Sequence, residues 1–387
     1  MKTRKPAPLE PVPAARSPNL KKRAYARIPA SALLKWYDRV KRDMPWRRTK
    51  DPYAIWLSEI MLQQTRVDTV IAYWNKFMQT WPTATALANA PLDDVLAAWA
   101  GLGYYARARN LHKAAKEIRD AHRGDFPGDA ESVRALPGIG RYTAGAILSI
   151  AFGKPEPLVD GNVVRVLARL HGLEGHAKER TLHATCWEIA ALIVPADRPG
   201  DFNQALMELG ATVCTPAKPK CAACPVAAQC VAREAGTQEQ VPATPPRAVR
   251  PHRTIEAAFV ERDGAILLVR RPDEGLLGGM WEMPSAEREG APGASASRAL
   301  AALGLHAAAG DRVASIEHAF THFDMTLQAF VCNPAGEIRP GSAELVREAD
   351  LARYALGAAT KRAIEAARET LRQPSLFAGG RARSADR

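Results

Sequence analysis

Long apolar runs are missing from this chain. No stretch of about eighteen residues stays apolar, so no membrane-spanning helix is expected. Cysteine is scarce, 6 in 387 residues, and no secretory leader is recognised. The expectation is therefore a chain that does not lean on disulfides, and one long enough to bury a core without them. Acid is in short supply as well: 41 Asp and Glu face 53 Lys and Arg, a net charge of +12. Most of that excess sits at one end. Residues 1–28 carry Lys2, Arg4, Lys5, Arg16, Lys21, Lys22, Arg23 and Arg27 against Glu10 alone, a net +7 that leaves +5 for the rest. This stretch is Pro-rich and cannot form a core, so a disordered basic tail is expected over 1–28. Two readings of it stay open: added affinity for a polyanion, or a solvated tail with no partner. A mitochondrial-type targeting segment fits the composition, but the prolines oppose an amphipathic helix.

Four of the six cysteines fall together, as Cys214-x6-Cys221-x2-Cys224-x5-Cys230. Four thiolates on one short loop can hold a metal centre with no open position, structural or tuned for electrons before it is catalytic. The loop runs Thr215-Pro-Ala-Lys-Pro-Lys220, which suits neither helix nor strand and needs something to fold around. Zinc sites usually show two tight Cys pairs, and only Cys221 and Cys224 are tightly paired here. Zinc and iron–sulfur both stay open, with the spacing tilting towards a cubane cluster.

Strand alternation is absent from residues 29–236, which read as helix after helix. Trp56, Ile60, Val67, Val70, Ile71, Trp74, Phe77 and Met78 follow helical spacing over Ile55–Trp81, with a break near Gln64-Thr65. Further helices are predicted over Pro91–Trp99, Tyr104–His122, Tyr142–Phe152 and Val163–His171. Residues 237–252 hold Pro242, Pro245, Pro246 and Pro251 with few apolar residues, a linker. The period then changes to two. Ile255–Glu261 and Ala265–Arg270 flank Asp263-Gly264, a strong hairpin signal. Strands at Arg312–Glu317 and Met325–Cys332 and helices at Ala294–Ala302 and Ala358–Leu371 complete an α+β region over 253–372, before a tail at 373–387.

Three stretches carry chemistry. Leu136-Pro-Gly-Ile-Gly140 places Gly138 and Gly140 in a tight turn ahead of a helix, so backbone N–H groups can meet a phosphate. A plain helix–turn–helix corner is the alternative. Glu59 is a lone carboxyl in Ile55-Trp-Leu-Ser-Glu-Ile-Met-Leu62. Buried, it would favour the protonated form and suit a general acid; spacing alone slightly favours a surface Glu on an amphipathic helix. Asp160, in Val159-Asp-Gly-Asn162, is by default the N-cap of the next helix. A helix start should keep its pKa low, ready to face a developing positive charge. Tyr104-Tyr105 before a basic helix suits base stacking, or equally a core pair.

Together these residues resemble the helix–hairpin–helix DNA glycosylases that carry a 4Fe–4S cluster, and within them the adenine DNA glycosylase (MutY) family. The resemblance is carried by the hairpin, the later Asp, the cysteine loop, Trp56-Leu-Ser-Glu-Ile-Met-Leu-Gln-Gln-Thr65, Gly101-Leu-Gly-Tyr-Tyr-Ala-Arg-Ala-Arg-Asn110 and Phe202-Asn-Gln-Ala205. It spans roughly residues 30–370. It implies an all-α glycosylase domain with a cluster loop, then an α+β Nudix-like domain.

It also implies roles. Glu59 matches the acid that protonates the flipped adenine at N7. Asp160 matches the carboxylate that stabilises an oxocarbenium-like sugar. Tyr142 matches a tyrosine supporting that cation in some members, and Asn162 a residue that holds Asp160 and the water. Arg47 and Gln204 fall beside the adenine; Gln64 and Tyr104 enter the stack near 8-oxoguanine. Cys214, Cys221, Cys224 and Cys230 match the ligands of a 4Fe–4S cluster. Phe320-Thr321-His322 stands where the family usually has Phe-Ser-His, a loop that probes 8-oxoguanine, and Thr keeps the hydroxyl. The implied partner is double-stranded DNA with A:8-oxoG or A:G mismatches. The implied protein is a monomer without membrane contact, cytoplasmic and nucleoid-associated in the bacterial manner.

Several missing groups narrow the activity. Tyr142 stands where endonuclease III-type glycosylase-lyases carry a hairpin Lys, so no Schiff base forms there. Val164 replaces a Lys that some adenine glycosylases carry. Both favour monofunctional base removal that leaves an abasic site over an endonuclease III-like glycosylase/AP lyase on oxidised pyrimidines. Gly278-Gly-Met-Trp-Glu-Met-Pro284 looks like the opening of a Nudix box, yet Ala294–Leu303 has no Glu to bind magnesium. Recognition rather than pyrophosphate hydrolysis is expected of that domain. A non-catalytic iron–sulfur DNA-binding protein is the remaining alternative.

Overall fold

The computed structural model describes residues 28–245, 249–335 and 343–372. The expected tails at 1–28 (Ile28 apart) and 373–387, and residues 246–248 of the expected linker, lie outside them. In chain order the helices are α1 (Ala30–Val40), α2 (Pro52–Leu62), α3 (Val67–Thr80), α4 (Ala84–Asn89), α5 (Leu92–Trp99), α6 (Ala106–Ala121), α7 (Ala130–Ala135), α8 (Arg141–Ile150), α9 (Gly161–His171), α10 (Arg180–Ile193), α11 (Pro199–Thr212) and α12 (Val231–Glu234). Among the described residues no strand precedes β1 (His252–Phe259). Then follow β2 (Glu261–Arg262), β3 (Ala265–Arg270), β4 (Trp281–Glu282), β5 (Ser285–Glu287), α13 (Ala294–Ala301), β6 (Arg312–Ala319), β7 (Asp324–Val331), β8 (Ala343–Arg347) and α14 (Ala358–Arg372). No helix among the described residues is long and apolar enough to cross a membrane.

Two compact units form, and they do not follow the linear order. Among the described residues, one combines 28–41 with Lys154–Pro245; the other combines Arg42–Gly153 with 249–335 and 343–372. In the first, α9 packs against α10, α11 and α12, and α11 also packs on α1. A side chain at Gly210 of α11 would meet Asn162 Cβ at 2.6 Å, so α9 and α11 touch backbone to backbone. Arg198 ties the start of α11 to Asp38 of α1 at 2.6 and 3.0 Å.

In the second unit, α2 is nearly all apolar, and Tyr53 through Met61 are buried. Asp51 starts it, its side chain accepting from Tyr53 N, with Pro52 at the first turn. Trp56, Phe77 and Trp99 are fully buried around it. The predicted break falls at residues 63–66, where Gln64 takes a left-handed φ of 57°. Two sheets follow: a mixed one ordered β5-β1-β7-β6, and an antiparallel one ordered β2-β3-β4 with β8 added to β3. Strands β1 and β7 run parallel; α13 covers β1, and α14 covers β6 and β7.

One expectation needs correcting. Asp263 and Gly264 both take positive φ, as a primed hairpin turn requires, but the hairpin they close joins only β2 to β3. The long strand β1 ends at Phe259 and belongs to the other sheet. Local turn chemistry was legible; the change of sheet at Val260 is set by parallel pairing with β7, a partner distant in sequence.

Candidate active site and cluster loop

Glu59 sits in α2, a helix with no polar face, and is 5% exposed. The surface-glutamate reading therefore fails. A carboxyl there needs a partner, and Tyr142 Oη donates to its Oε2 at 2.7 Å. Tyr142 is the second residue of α8, and α8 packs on α2. The hairpin that launches α8 depends on Gly138, at φ +77°, where a Cβ would strike Asn110 of α6 at 2.7 Å. Gly140 is the N-cap of α8 and supplies no side-chain acceptor to its first turn.

Asp160 is the N-cap of α9, accepting from Val163 N at 2.7 Å and from Asn162 Nδ2 at 3.0 Å. Arg165 Nη2 in turn donates to Asn162 Oδ1 and to Gly210 O, and its Nε to Cys214 O. The expected low pKa is not what the surroundings produce. Asp160 keeps some exposed surface, yet protein packs closely around its carboxyl. That desolvation raises its pKa above the ordinary value, outweighing the Val163 and Asn162 hydrogen bonds and the Arg165 charge.

The four clustered cysteines are free thiols within electrostatic reach of one another. Burial pushes the Cys224 thiol up to about 11 and raises Cys230. Arg169 clasps the loop: Nη1 reaches Cys214 Sγ at 3.4 Å and Thr215 O at 2.7 Å, Nη2 Pro216 O, and Nε Val241 O. Cys230 Sγ lies 3.5 Å from Arg169 O. Among the described residues no three His, Cys, Asp or Glu side chains are gathered closely enough to grip one metal ion. Four thiols sharing a neighbourhood, with a guanidinium beside them, fit a group that takes one thiolate at each of several metals.

The other expected site residues fall as follows. Gln204 is buried in α11, and Arg47 is partly exposed in a 3-10 turn with Nη1 on Arg42 O. Gln64 is exposed on the turn after α2. The Tyr pair divides: Tyr105 is buried, whereas Tyr104 is 45% exposed and takes φ 49°. Tyr104 Oη lies 2.6 Å from Thr321 Oγ1. Thr321 and His322 are exposed, and Phe320 stacks on Phe323 at 4.7 Å. Glu59, Tyr142, Gln64, Tyr104 and the 320–322 loop belong to one unit; Asp160, Asn162, Gln204 and the four cysteines belong to the other.

The Nudix-box-like stretch has another job. Met280 is buried within the core built by α2–α8, Gly278 O accepts from Arg109 Nη1 at 2.5 Å, and Arg270 pairs with Asp93 at 3.1 Å. Three arginines that sequence reasoning passed over, Arg107, Arg165 and Arg169, hold backbone carbonyls together. Their only sequence signal is a basic residue on a helix, which usually means a solvated face.

Residues 57–191 match the HhH-GPD superfamily base excision DNA repair protein family, and residues 256–366 match the NUDIX domain. An adenine DNA glycosylase of Homo sapiens is 39% identical over 383 residues, covering 82% of this chain and 70% of that protein. One of Arabidopsis thaliana is 43% identical, covering 65% of this chain and 46% of that protein. Among solved structures, a thermostable thymine-DNA glycosylase is 31% identical with a TM-score of 0.49, covering 53% of this chain and 95% of that one.

Proposed function

The chain belongs to the adenine DNA glycosylase family, and we propose that it removes adenine mispaired with 8-oxoguanine or guanine and leaves an abasic site. It is a DNA glycosylase of base excision repair. The finer reading rests on one observation above all: a carboxyl buried in an apolar helix and hydrogen-bonded to a tyrosine, Glu59 with Tyr142.

The chemistry follows from the residues. A flipped adenine leaves only when its ring accepts a proton, because the anion is a poor leaving group. Glu59 gives its proton to N7; the C1′–N9 bond breaks and its electron pair goes to the base. The sugar becomes oxocarbenium-like, and the Asp160 carboxylate stabilises that charge. Water adds at C1′, and Glu59 takes back a proton. Two carboxyls in different settings divide the labour, Glu59 as proton donor and Asp160 as stabiliser of the cation. Tyr142 keeps Glu59 in place and offers no amine, so no covalent adduct with the sugar forms there. Arg47 and Gln204 flank the base, Gln64 and Tyr104 enter the stack, and Phe320, Thr321 and His322 test for 8-oxoguanine. The enzyme acts as a monomer in the cytoplasm.

Cys214, Cys221, Cys224 and Cys230 hold a 4Fe–4S cluster in this reading. When bound, it supplies a fixed scaffold for the loop bearing Lys218 and Lys220. Cys221→Ser is expected to lose visible cluster absorbance and lower both Tm and duplex affinity. A folded, DNA-binding, cluster-free variant would refute the scaffold role. Tyr142→Phe removes one hydrogen bond to Glu59. Adenine release should slow by about tenfold while duplex affinity holds, as read in single-turnover kinetics.

The reading is tested by incubating the protein with duplexes that place A opposite 8-oxoguanine, G, T or C. Alkali-labile abasic sites should appear with 8-oxoguanine and G. Strand breaks without alkali, or an adduct trapped by borohydride, would favour the glycosylase-lyase alternative.

A further inference from the structure

Arg107 opens the first turn of α6, and its guanidinium is turned away from solvent into a ring of main-chain oxygens. Nη1 donates to Ile60 O at 2.8 Å, Met61 O at 2.9 Å and Gln63 O at 2.6 Å. Nη2 donates to Thr65 Oγ1 at 3.2 Å, Leu102 O at 2.9 Å and Gly103 O at 3.1 Å. Its plane also lies 5.2 Å from the Trp99 ring and 5.6 Å from Tyr104. Burial lowers its pKa to about 10, so it remains charged at neutral pH.

The acceptors come from two places. Ile60, Met61, Gln63 and Thr65 are the last turn of α2 and the turn that follows it. Leu102 and Gly103 are the turn before α6. Each turn carries one exposed side chain on a left-handed backbone: Gln64 at φ 57° on the first, Tyr104 at φ 49° on the second. Such backbones are costly for non-glycine residues and persist only where their surroundings over-determine them. A planar, many-donor group at the junction supplies that restraint, and the Ile60 and Met61 carbonyls it caps lie in the last turn of α2, where a cation also meets the helix dipole.

We propose that Arg107 is a positioning residue for DNA engagement, locking the Gln64 turn to the Tyr104 turn so that both side chains meet a duplex as one fixed pair. This rests on the reading that Gln64 and Tyr104 enter the base stack. It also places the tether one residue after Glu59, so the end of the helix that carries the acid is fixed by the same group.

Arg107→Lys keeps the charge but not the fork. Three readouts apply: Tm, affinity for a fully matched duplex, and the ratio of affinities for an A:8-oxoguanine duplex over the matched one. Matched-duplex affinity should stay within about threefold of wild type, while the ratio falls by about tenfold or more. In a Gln64→Ala, Tyr104→Ala background the same substitution should leave the ratio unchanged, because there is no pair left to position. If Arg107→Lys does not fold, Thr65→Val, which deletes one acceptor at constant size, takes its place in both backgrounds. An undiminished ratio in the single variant, or an equal further fall in the double-alanine background, overturns the proposal. A wild-type ratio in Gln64→Ala, Tyr104→Ala itself overturns the stacking reading, with Arg107 untouched.

Discussion

Glu59→Gln is expected to lower single-turnover adenine release by about 10²–10⁴-fold or more, while duplex affinity changes by less than about threefold. The two effects separate because of how Glu59 is held. Gln has the same shape, and its Oε1 can still accept from Tyr142 Oη, so the contact that seats residue 59 survives. What it lacks is an acidic proton to give. Glu59→Ala would be a poorer test. It would leave the half-buried Tyr142 hydroxyl without its Glu59 partner and open a gap in α2, costing about 1–3 kcal/mol for the lost hydrogen bond alone. Loss of activity there would confound chemistry with packing. Normal adenine release by Glu59→Gln, measured under single-turnover conditions, would remove Glu59 from the mechanism.

The helix-rich first half was legible because its periodicity is local. The break between α2 and α3, the cap at Asp160 and the turn at Gly138 are all written within a few residues of where they act. Burial was not legible. Glu59 is surrounded by α8 and by its own apolar helix, partners that no spacing rule identifies, so local pattern leaned towards the surface. Asp160 shows the same limit from the other side. Its hydrogen bonds could be foreseen from a helix start, but the packing that outweighs them could not. The short strands β4, β5 and β8 escaped notice because two to five residues give no period to read. The carbonyl-binding arginines escaped because nothing in sequence distinguishes an arginine that fastens carbonyls from one that faces water. That is why Arg107, with two separate turns in its grip, emerges only from geometry.

Asp160→Asn should abolish most of the activity and, at the same time, change how stability responds to pH. A lost electrostatic partner for the oxocarbenium-like sugar is expected to slow adenine release by about 10²–10³-fold or more. The pH response of stability comes from the raised pKa of Asp160. Burial makes the folded protein hold the Asp160 proton more tightly than the unfolded chain does, whose ordinary value is 3.8. The stability this group contributes is therefore full below that ordinary value. It is lost as pH rises through the higher folded-state value, because the carboxylate must then ionise inside the protein. Asn cannot ionise and caps a helix as well as Asp does, so the Val163 N contact is kept. Its amide would face Asn162 Nδ2, donor to donor, which costs a hydrogen bond; but that offset does not change with pH. The difference in Tm, variant minus wild type, should thus become more positive from acid towards neutral pH, whatever its starting sign. Thermal melts of both proteins across that range decide it. A difference that stays flat or becomes more negative would mean that the hydrogen bonds and Arg165, not burial, set the protonation of Asp160. The case for a carboxylate kept at a cost to folding in order to meet a cation would then fall.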